Sequence, residues 1–332
     1  MQFDGFQILH YRPEMAADWD SIVSKSDGGT VLHSRRFLDY HGDRFRDLSL
    51  VSIRDGQSSL SAVFPLAADP EDPELAVSHP GSSFGGIVGP ARDPFHHRSF
   101  LGAAAQWLRD QGFNRLLYHC APAELLRQAD DGLQPRLIRL GQVVQLDLWS
   151  VRRLDAPTAE QGYWQSEIRS AERKGLRAEP AETPADWALL HGIIADRLDR
   201  KFGRKPVHSV AELIDLHRRL GGQSRGTLVR SSTGEALAGL WSIDYGTGTL
   251  HNQYNFATDF GLSLRASSYG ISLALQLATA QGFRRFSFGR STGDDGWSDN
   301  RDLLRFKARF GAGLAGQFHI EVDLQRLAQT AI

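Results

Sequence analysis

A chain of 332 residues is too long for one ordinary core and about right for two domains. Its 41% hydrophobic and 23% charged residues make a globular mixture and exclude a disordered chain. Lys plus Arg number 38 against 39 Asp plus Glu, a net charge of −1, so nothing draws the whole molecule to nucleic acid or acidic lipid.

In chain order, Phe6–His10 predicts a short strand, and Pro13 opens a helical stretch to about Val23, since proline is tolerated in a first turn. Ser34 is placed to cap a second helix through Tyr40. Residues 47–53 and 61–67 predict paired strands around the turn at Asp55-Gly56. Residues 68–74 form an acidic loop, and 80–90, PGSSFGGIVGP, are too rich in Gly and Pro for regular structure. Residues 100–111 predict a helix that ends at Gly112, followed by a strand over 115–120. The one cysteine, Cys120, excludes a disulfide framework or a multi-cysteine zinc site and reads as a small residue of a buried strand. A short helix over 123–128 and a strand over 143–148 follow.

Helices are then predicted over 159–174, Pro184–Phe202 and, capped by Ser209, to Leu220; Trp187, Leu190, Ile194 and Leu198 carry the helical spacing of the second. Strands over 227–230, 236–243 and 249–256 precede an apolar helix over 266–281. A strand over 283–288, a short helix over 303–310 and a last strand over 317–322 complete the chain. No apolar run reaches the ~18–20 residues that span a bilayer. MQFDGFQILHYRPEM lacks the regions of a signal peptide, so a cytoplasmic protein is expected.

One repeat organises these elements. QWLRDQGFNR at 106–115 and QLATAQGFRR at 276–285 agree at five of ten positions, and both cover a helix that ends at glycine and runs into a strand. Duplication of one αβ unit accounts for this, as does a common local solution in which glycine takes the left-handed conformation. The division is expected near residues 143–148.

The usual catalytic signatures fail. Walker A, HExxH and dinucleotide fingerprints are absent. His96-His97 reads as solvated surface, because neighbours on a helix point apart. Gly81-Ser82-Ser83-Phe84-Gly85 fits GxSxG, but Pro80 before it and Gly86 to Pro90 after it deny the strand and helix of a nucleophile elbow. The stretch 259–268, DFGLSLRASS, has one glycine and no Gly-x-Gly with which backbone N–H groups cradle a pyrophosphate, which weakens acyl-CoA as a donor.

FSFGRST at 286–292, followed by Arg305-Phe306-Lys307-Ala308-Arg309-Phe310-Gly311, resembles the closing segment of FemAB-like acyltransferases. IRSAERKGL at 168–176 is similar to the helix that opens their second domain, and Gly85-Gly86 to a feature of their first. The resemblance implies an α/β (α+β) chain of two tandem GNAT-like domains, each a mixed central sheet flanked by helices. These would be residues 1–142 and 143–316, with 317–332 packing back on the first. It further implies an acyltransferase. The best-studied members move an amino acid from aminoacyl-tRNA to an amine of a peptidoglycan precursor, and others serve polysaccharide or natural-product pathways. The chain lacks the helical-hairpin insertion of some members and carries a longer insert over 293–302.

Lys307 matches the lysine to which the family's chemistry gives the developing negative charge; the alternative is a solvated lysine on a short helix. Arg290 either orients a phosphate or carboxylate or pairs with Asp294 or Asp295. Asn252 and Tyr254 alternate on one strand and are expected to share a face, either bordering the cleft or half exposed. Arg197, Arg200 and Arg204, with Lys201 and Lys205, form the densest basic cluster. They would meet tRNA phosphates if the helix continues that far, or else form a solvated face; Arg169, Arg173 and Lys174 make a smaller group. The expectation is a monomeric aminoacyl-tRNA-dependent aminoacyltransferase with no cofactor and no membrane span, and a small-molecule or nucleotide-linked amine as acceptor. An acyl-CoA or carrier-protein donor is the alternative.

Overall fold

The computed structural model describes residues 1–3, 5–90, 94–128, 132–155, 161–293 and 295–329. The chain divides into two compact units. The first comprises Met1–Leu148, Thr292–Ser298 and Ala315–Ile332; the second comprises Trp149–Ser291 and Asp299–Leu314.

The first unit opens with strands β1 (Gln2–Phe3) and β2 (Phe6–His10), then helices α1 (Ala16–Lys25) and α2 (Arg35–Leu38). Ser34 caps α2, its side chain accepting from the Phe37 N–H. Strands β3 (Leu50–Arg54) and β4 (Ala62–Phe64) complete an antiparallel sheet in the order β1-β2-β3-β4. A second sheet runs β5 (Ala67–Ala68), β6 (Leu75–Val77), β7 (Arg115–His119), β14 (Gly313–Asp323) and β8 (Gln142–Arg153). Helices α3 (Pro94–Asp110), α4 (Leu133–Leu140) and α11 (Leu324–Gln329) belong to the same core, in which Phe100, Leu108, Leu137, Ile320 and Leu324 are fully buried.

The second unit takes the end of β8, from Trp149, into the order β8-β13-β12-β11-β10-β9. These strands are β9 (Arg177–Pro180), β10 (Ser224–Arg230), β11 (Ala236–Asp244), β12 (Thr249–Ala257) and β13 (Arg285–Arg290). Helices α5 (Gln161–Arg173), α6 (Pro184–Phe202), α7 (Val210–Leu220), α8 (Asp259–Ser263), α9 (Ala266–Ala280) and α10 (Arg301–Ala308) surround them. Adjacent strand residues point to opposite faces. On β11, Gly239 admits Leu190 of α6 while Leu240 meets Gly270 of α9, so α6 and α9 cover opposite faces.

The repeated decapeptide occupies equivalent places. Gly112 (φ +92°) ends α3 and Gly282 (φ +78°) ends α9, each in the left-handed region. The following phenylalanine N–H closes the turn in both, Phe113 onto Leu108 O at 3.1 Å and Phe283 onto Ala278 O at 3.0 Å. The next strand runs parallel to the one before the helix (β7 to β6, β13 to β12) and antiparallel to a third, β14 or β8.

Some expectations need correction. His96 and His97 are not solvated: His97 is buried, and His96 Nε2 lies 3.0 Å and 3.1 Å from the hydroxyls of Ser52 and Ser61. The predicted strand 143–148 is part of a longer one, Gln142–Arg153. Cys120 is buried and in no disulfide, as its apolar run required.

Candidate functional site

The chemistry-bearing residues of the second unit gather where β12 and β13 stop pairing. The two strands are in parallel register from Thr249↔Arg285 to His251↔Ser287. Beyond that point each bulges. Consecutive β11 residues Trp241 and Ser242 pair with Tyr254 and Asn252, which leaves Gln253 as an extra residue. On β13, Ser287 pairs with Val151 and Arg290 with Trp149, so Phe288 and Gly289 together oppose Ser150. Gly289, at φ +74°, supplies the left-handed turn this bulge needs, and a side chain there would crowd the His251 ring at 3.2 Å.

The bulge on β13 frees backbone carbonyls from the ladder, and Lys307 of α10 collects them. Its Nζ donates to Gly289 O at 2.9 Å, Arg290 O at 2.7 Å and Ser291 Oγ at 2.8 Å. Three protons thus meet three acceptors. The side chain is only 5% exposed. Burial, with the nearby Arg290 charge, brings the ammonium down to about 7. Helix α10 is set by its cap: Asn300 accepts from the Leu303 N–H, and its own N–H donates to Ser291 O. Phe306 packs on Phe310, and Phe310 on Phe288 of β13, so the apolar face anchors the helix and turns Lys307 inward.

His251 lies beside this ammonium. Its Nδ1 is 3.1 Å from Ser287 Oγ and its Nε2 is 3.0 Å from Gln253 Oε1, while Tyr245 stacks on the ring. Burial first, and then the Lys307 charge, lower its pKa to about 3, so the imidazole stays neutral. Ser291 Oγ also meets Ser150 Oγ at 2.8 Å, which ties the Lys307 cluster to β8. The buried side chain of Asn252 leaves its Oδ1 without a hydrogen-bond partner among the described residues.

Asn252 is therefore at the parting point, with Arg290 exposed at the strand end and Lys307 buried beside it. Tyr254 is not with them. The Gln253 bulge turns Asn252 and Tyr254 to opposite faces, correcting the expectation that they share one. Tyr254 faces Trp241, its hydroxyl lies 2.9 Å from His208 Nδ1, and burial pushes its pKa up to about 12. Arg200 is ion-paired with Asp196 at 2.7 Å and Asp259 at 3.5 Å, and Arg197 meets Asp259 at 3.0 Å. Helix α6 ends at Phe202 with Gly203 in the left-handed region, so Arg204 lies beyond it and the three arginines do not share one helical face. Asp295 spends its carboxylate on the N–H groups of Trp297 and Ser298 and on the Ser298 hydroxyl, whereas Asp294 lies outside the described residues.

Sequence reasoning missed His251, Ser287, Gly289 and Ser291. The last three lie inside FSFGRST, so the segment was visible while its role as the acceptor set for Lys307 was not. Among the described residues no cluster of His, Cys, Asp or Glu could hold a metal ion, and no helix is long and apolar enough to cross a membrane.

No family model matches this chain. No curated protein matches it either. Solved structures do. FemX superposes with a TM-score of 0.70 at 12% identity over 97% of this chain and 99% of that one. L-PGS from Bacillus licheniformis gives 0.60 at 14% identity, over 96% and 97%. A tandem GNAT protein from the clavulanic acid biosynthesis pathway gives 0.54 at 11% identity, over 96% and 98%. At such identities the likeness is one of fold. The chain thus shares the fold of FemX and of tandem GNAT proteins.

Proposed function

We propose that this protein transfers an aminoacyl group from aminoacyl-tRNA to an amine, forming an amide. The observation that carries this reading is the buried Lys307 ammonium at the point where β12 and β13 part. Amide formation by aminolysis passes through an oxyanion, which a fixed positive charge in a poorly solvated place stabilises more than one in water. The ester of an aminoacyl-tRNA is already activated, so positioning and charge carry much of the work. Lys307 acts here in two ways: it holds the bulged end of β13 in shape, and its charge raises the potential at the backbone N–H groups beside it.

The fold neighbours are compatible with this class. One is titled a putative lysylphosphatidylglycerol synthetase C-terminal domain (TM-score 0.59, 12% identity), and the tandem GNAT protein is titled with reference to AcCoA. Donor choice is argued from residues 259–268. The single glycine there, Gly261, is needed for packing, since a side chain would strike Leu237 O at 2.1 Å. The turn before α9 contains no glycine, and Arg265 itself takes the left-handed conformation at φ +64°. Backbone N–H groups are therefore poorly arranged to cradle a pyrophosphate.

The test is a transfer assay with a charged total tRNA pool and a primary amine acceptor, with and without RNase. The reading expects product that RNase abolishes and that high salt suppresses. Product that survives RNase and appears with release of free CoA from an acyl-CoA would overturn the donor assignment.

A further inference from the structure

Gly289 is held at both of its backbone groups. Its carbonyl receives the Lys307 ammonium at 2.9 Å, and its N–H donates to Ser287 Oγ at 3.2 Å. Ser287 Oγ also lies 3.1 Å from Nδ1 of His251, whose Nε2 is 3.0 Å from Gln253 Oε1. These partners fix the direction of each bond. An amide carbonyl oxygen only accepts, so Nε2 carries the proton of the neutral ring and Nδ1 carries its lone pair. The Ser287 hydroxyl then donates its single proton to Nδ1, and its own lone pairs take the Gly289 N–H. In the other tautomer Nε2 and the Gln253 oxygen would face each other as two acceptors.

The His251 ring is buried, stacked on Tyr245 at 5.0 Å and tilted against Trp149 at 5.5 Å. It joins the two bulges where β12 and β13 part: Gln253 is the extra residue of one, and Gly289 lies in the other. A glycine turn is soft, because no side chain restricts it. Here the ring closes one side of that turn, and the Ser287 hydroxyl ties down its N–H. Burial and the Lys307 charge keep the imidazole neutral, so the charge acting on the ammonium comes from Arg290 and not from His251. All of these residues belong to the second unit.

We propose that His251 is a positioning residue for Lys307: through Ser287 it pins the turn at Gly289, and with it the carbonyl that holds the ammonium. A charge stabilises a transition state only when it is fixed where the opposite charge develops, so the pin bears on rate more than on binding. Its part in catalysis rests on the transferase reading above, whereas the coupling of His251 to Lys307 stands on its own geometry.

The experiment follows the full-length protein by 15N-histidine and 13C-lysine NMR and by transfer kinetics. Leucine at 251 fills a similar volume without nitrogens, and asparagine keeps an acceptor near the place of Nδ1. In the wild type His251 should show the Nε2–H tautomer. In His251→Leu the site stays dry while the Gly289 carbonyl loosens, so the charged form of Lys307 loses a fixed acceptor and its pKa should fall below the wild-type value of about 7. Ser287→Ala cuts the same link from the other side and should move Lys307 in the same direction. Transfer uses the ammonium, so activity is present below that pKa and lost as pH rises through it; in both variants this alkaline limb should move to lower pH. For His251→Leu kcat near neutrality should fall about tenfold with KM little changed, and His251→Asn should recover most of the rate. A wild-type Nδ1–H tautomer, or folded His251→Leu and Ser287→Ala proteins whose Lys307 titrates as in the wild type, would overturn the proposal and leave the ring a packing role alone. If no donor supports transfer by the wild type, the transferase reading fails, and the NMR results by themselves judge the coupling.

Discussion

Lys307 places a charge where the sheet has left carbonyls without partners. The β13 bulge at Gly289 and the ammonium satisfy each other, and neither group is comfortable in the interior alone. The folded pKa of about 7 lies below the ordinary 10.5 of the unfolded chain. Between those values the unfolded chain binds more protons, so stability rises with pH through that window and the full cost of burying the charge is present below it. The stability difference between wild type and Lys307→Met should therefore move in favour of the wild type by up to about 1.4 kcal/mol per pH unit above neutrality. Urea denaturation at pH 7, 8 and 9 reads this, and a flat difference contradicts it. Gly289→Ala should destabilise by roughly 1–2 kcal/mol through its positive φ, with a further contribution from the crowded His251 ring. Unchanged stability would show that the bulge relaxes. At this scale Lys307 was singled out because its segment resembles that of FemAB-like acyltransferases. The sequence did not reveal His251, because a lone histidine on a strand carries no mark of the ring nitrogens' partners.

Helices with complete end signals were legible. Thr183 and Asp186 form a capping box, Pro184 opens the first turn, and Gly203 closes α6; Ser209 and Glu212 do the same for α7. Helix α4 was not legible. It has only eight residues, contains Pro135, and follows a glycine instead of a capping side chain. Strands β5, β6 and β9, of two to four residues, are too short to show a period. The β12 bulge was hidden for another reason: alternation is read from spacing, and one extra residue reverses faces without altering composition. The repeat survives the same scrutiny, since Gly112 and Gly282 take one conformation at one kind of junction. A side chain at either position would meet no atom within 4 Å. Alanine should therefore cost only backbone strain, roughly 1 kcal/mol at each site, and asparagine less than alanine. Thermal unfolding of the four single variants tests this, and a much larger loss at one site would break the equivalence.

At the scale of the molecule, both units build a mixed sheet from the same turn, strand and helix order, and the full length matches FemX and tandem GNAT structures in fold. The amino-acid chemistry that selects a donor is less visible. In the reading proposed above it lies in what the turn before α9 lacks and in bulges that tertiary pairing creates. The arginines that suggested an RNA surface are partly spent on Asp196 and Asp259. A salt-dependent contact would therefore draw on only part of that cluster, and Arg197→Gln should weaken tRNA binding less than its formal charge suggests. A filter-binding slope against salt that falls by a full phosphate contact would contradict this.

The most direct measurement is the single-turnover rate of RNase-sensitive transfer by wild type, Lys307→Arg and Lys307→Met, with circular dichroism confirming that each is folded. The account predicts a loss of at least about 100-fold for methionine, the scale of one lost charge-stabilising group, and partial recovery for arginine. A folded Lys307→Met protein that transfers at the wild-type rate would contradict it.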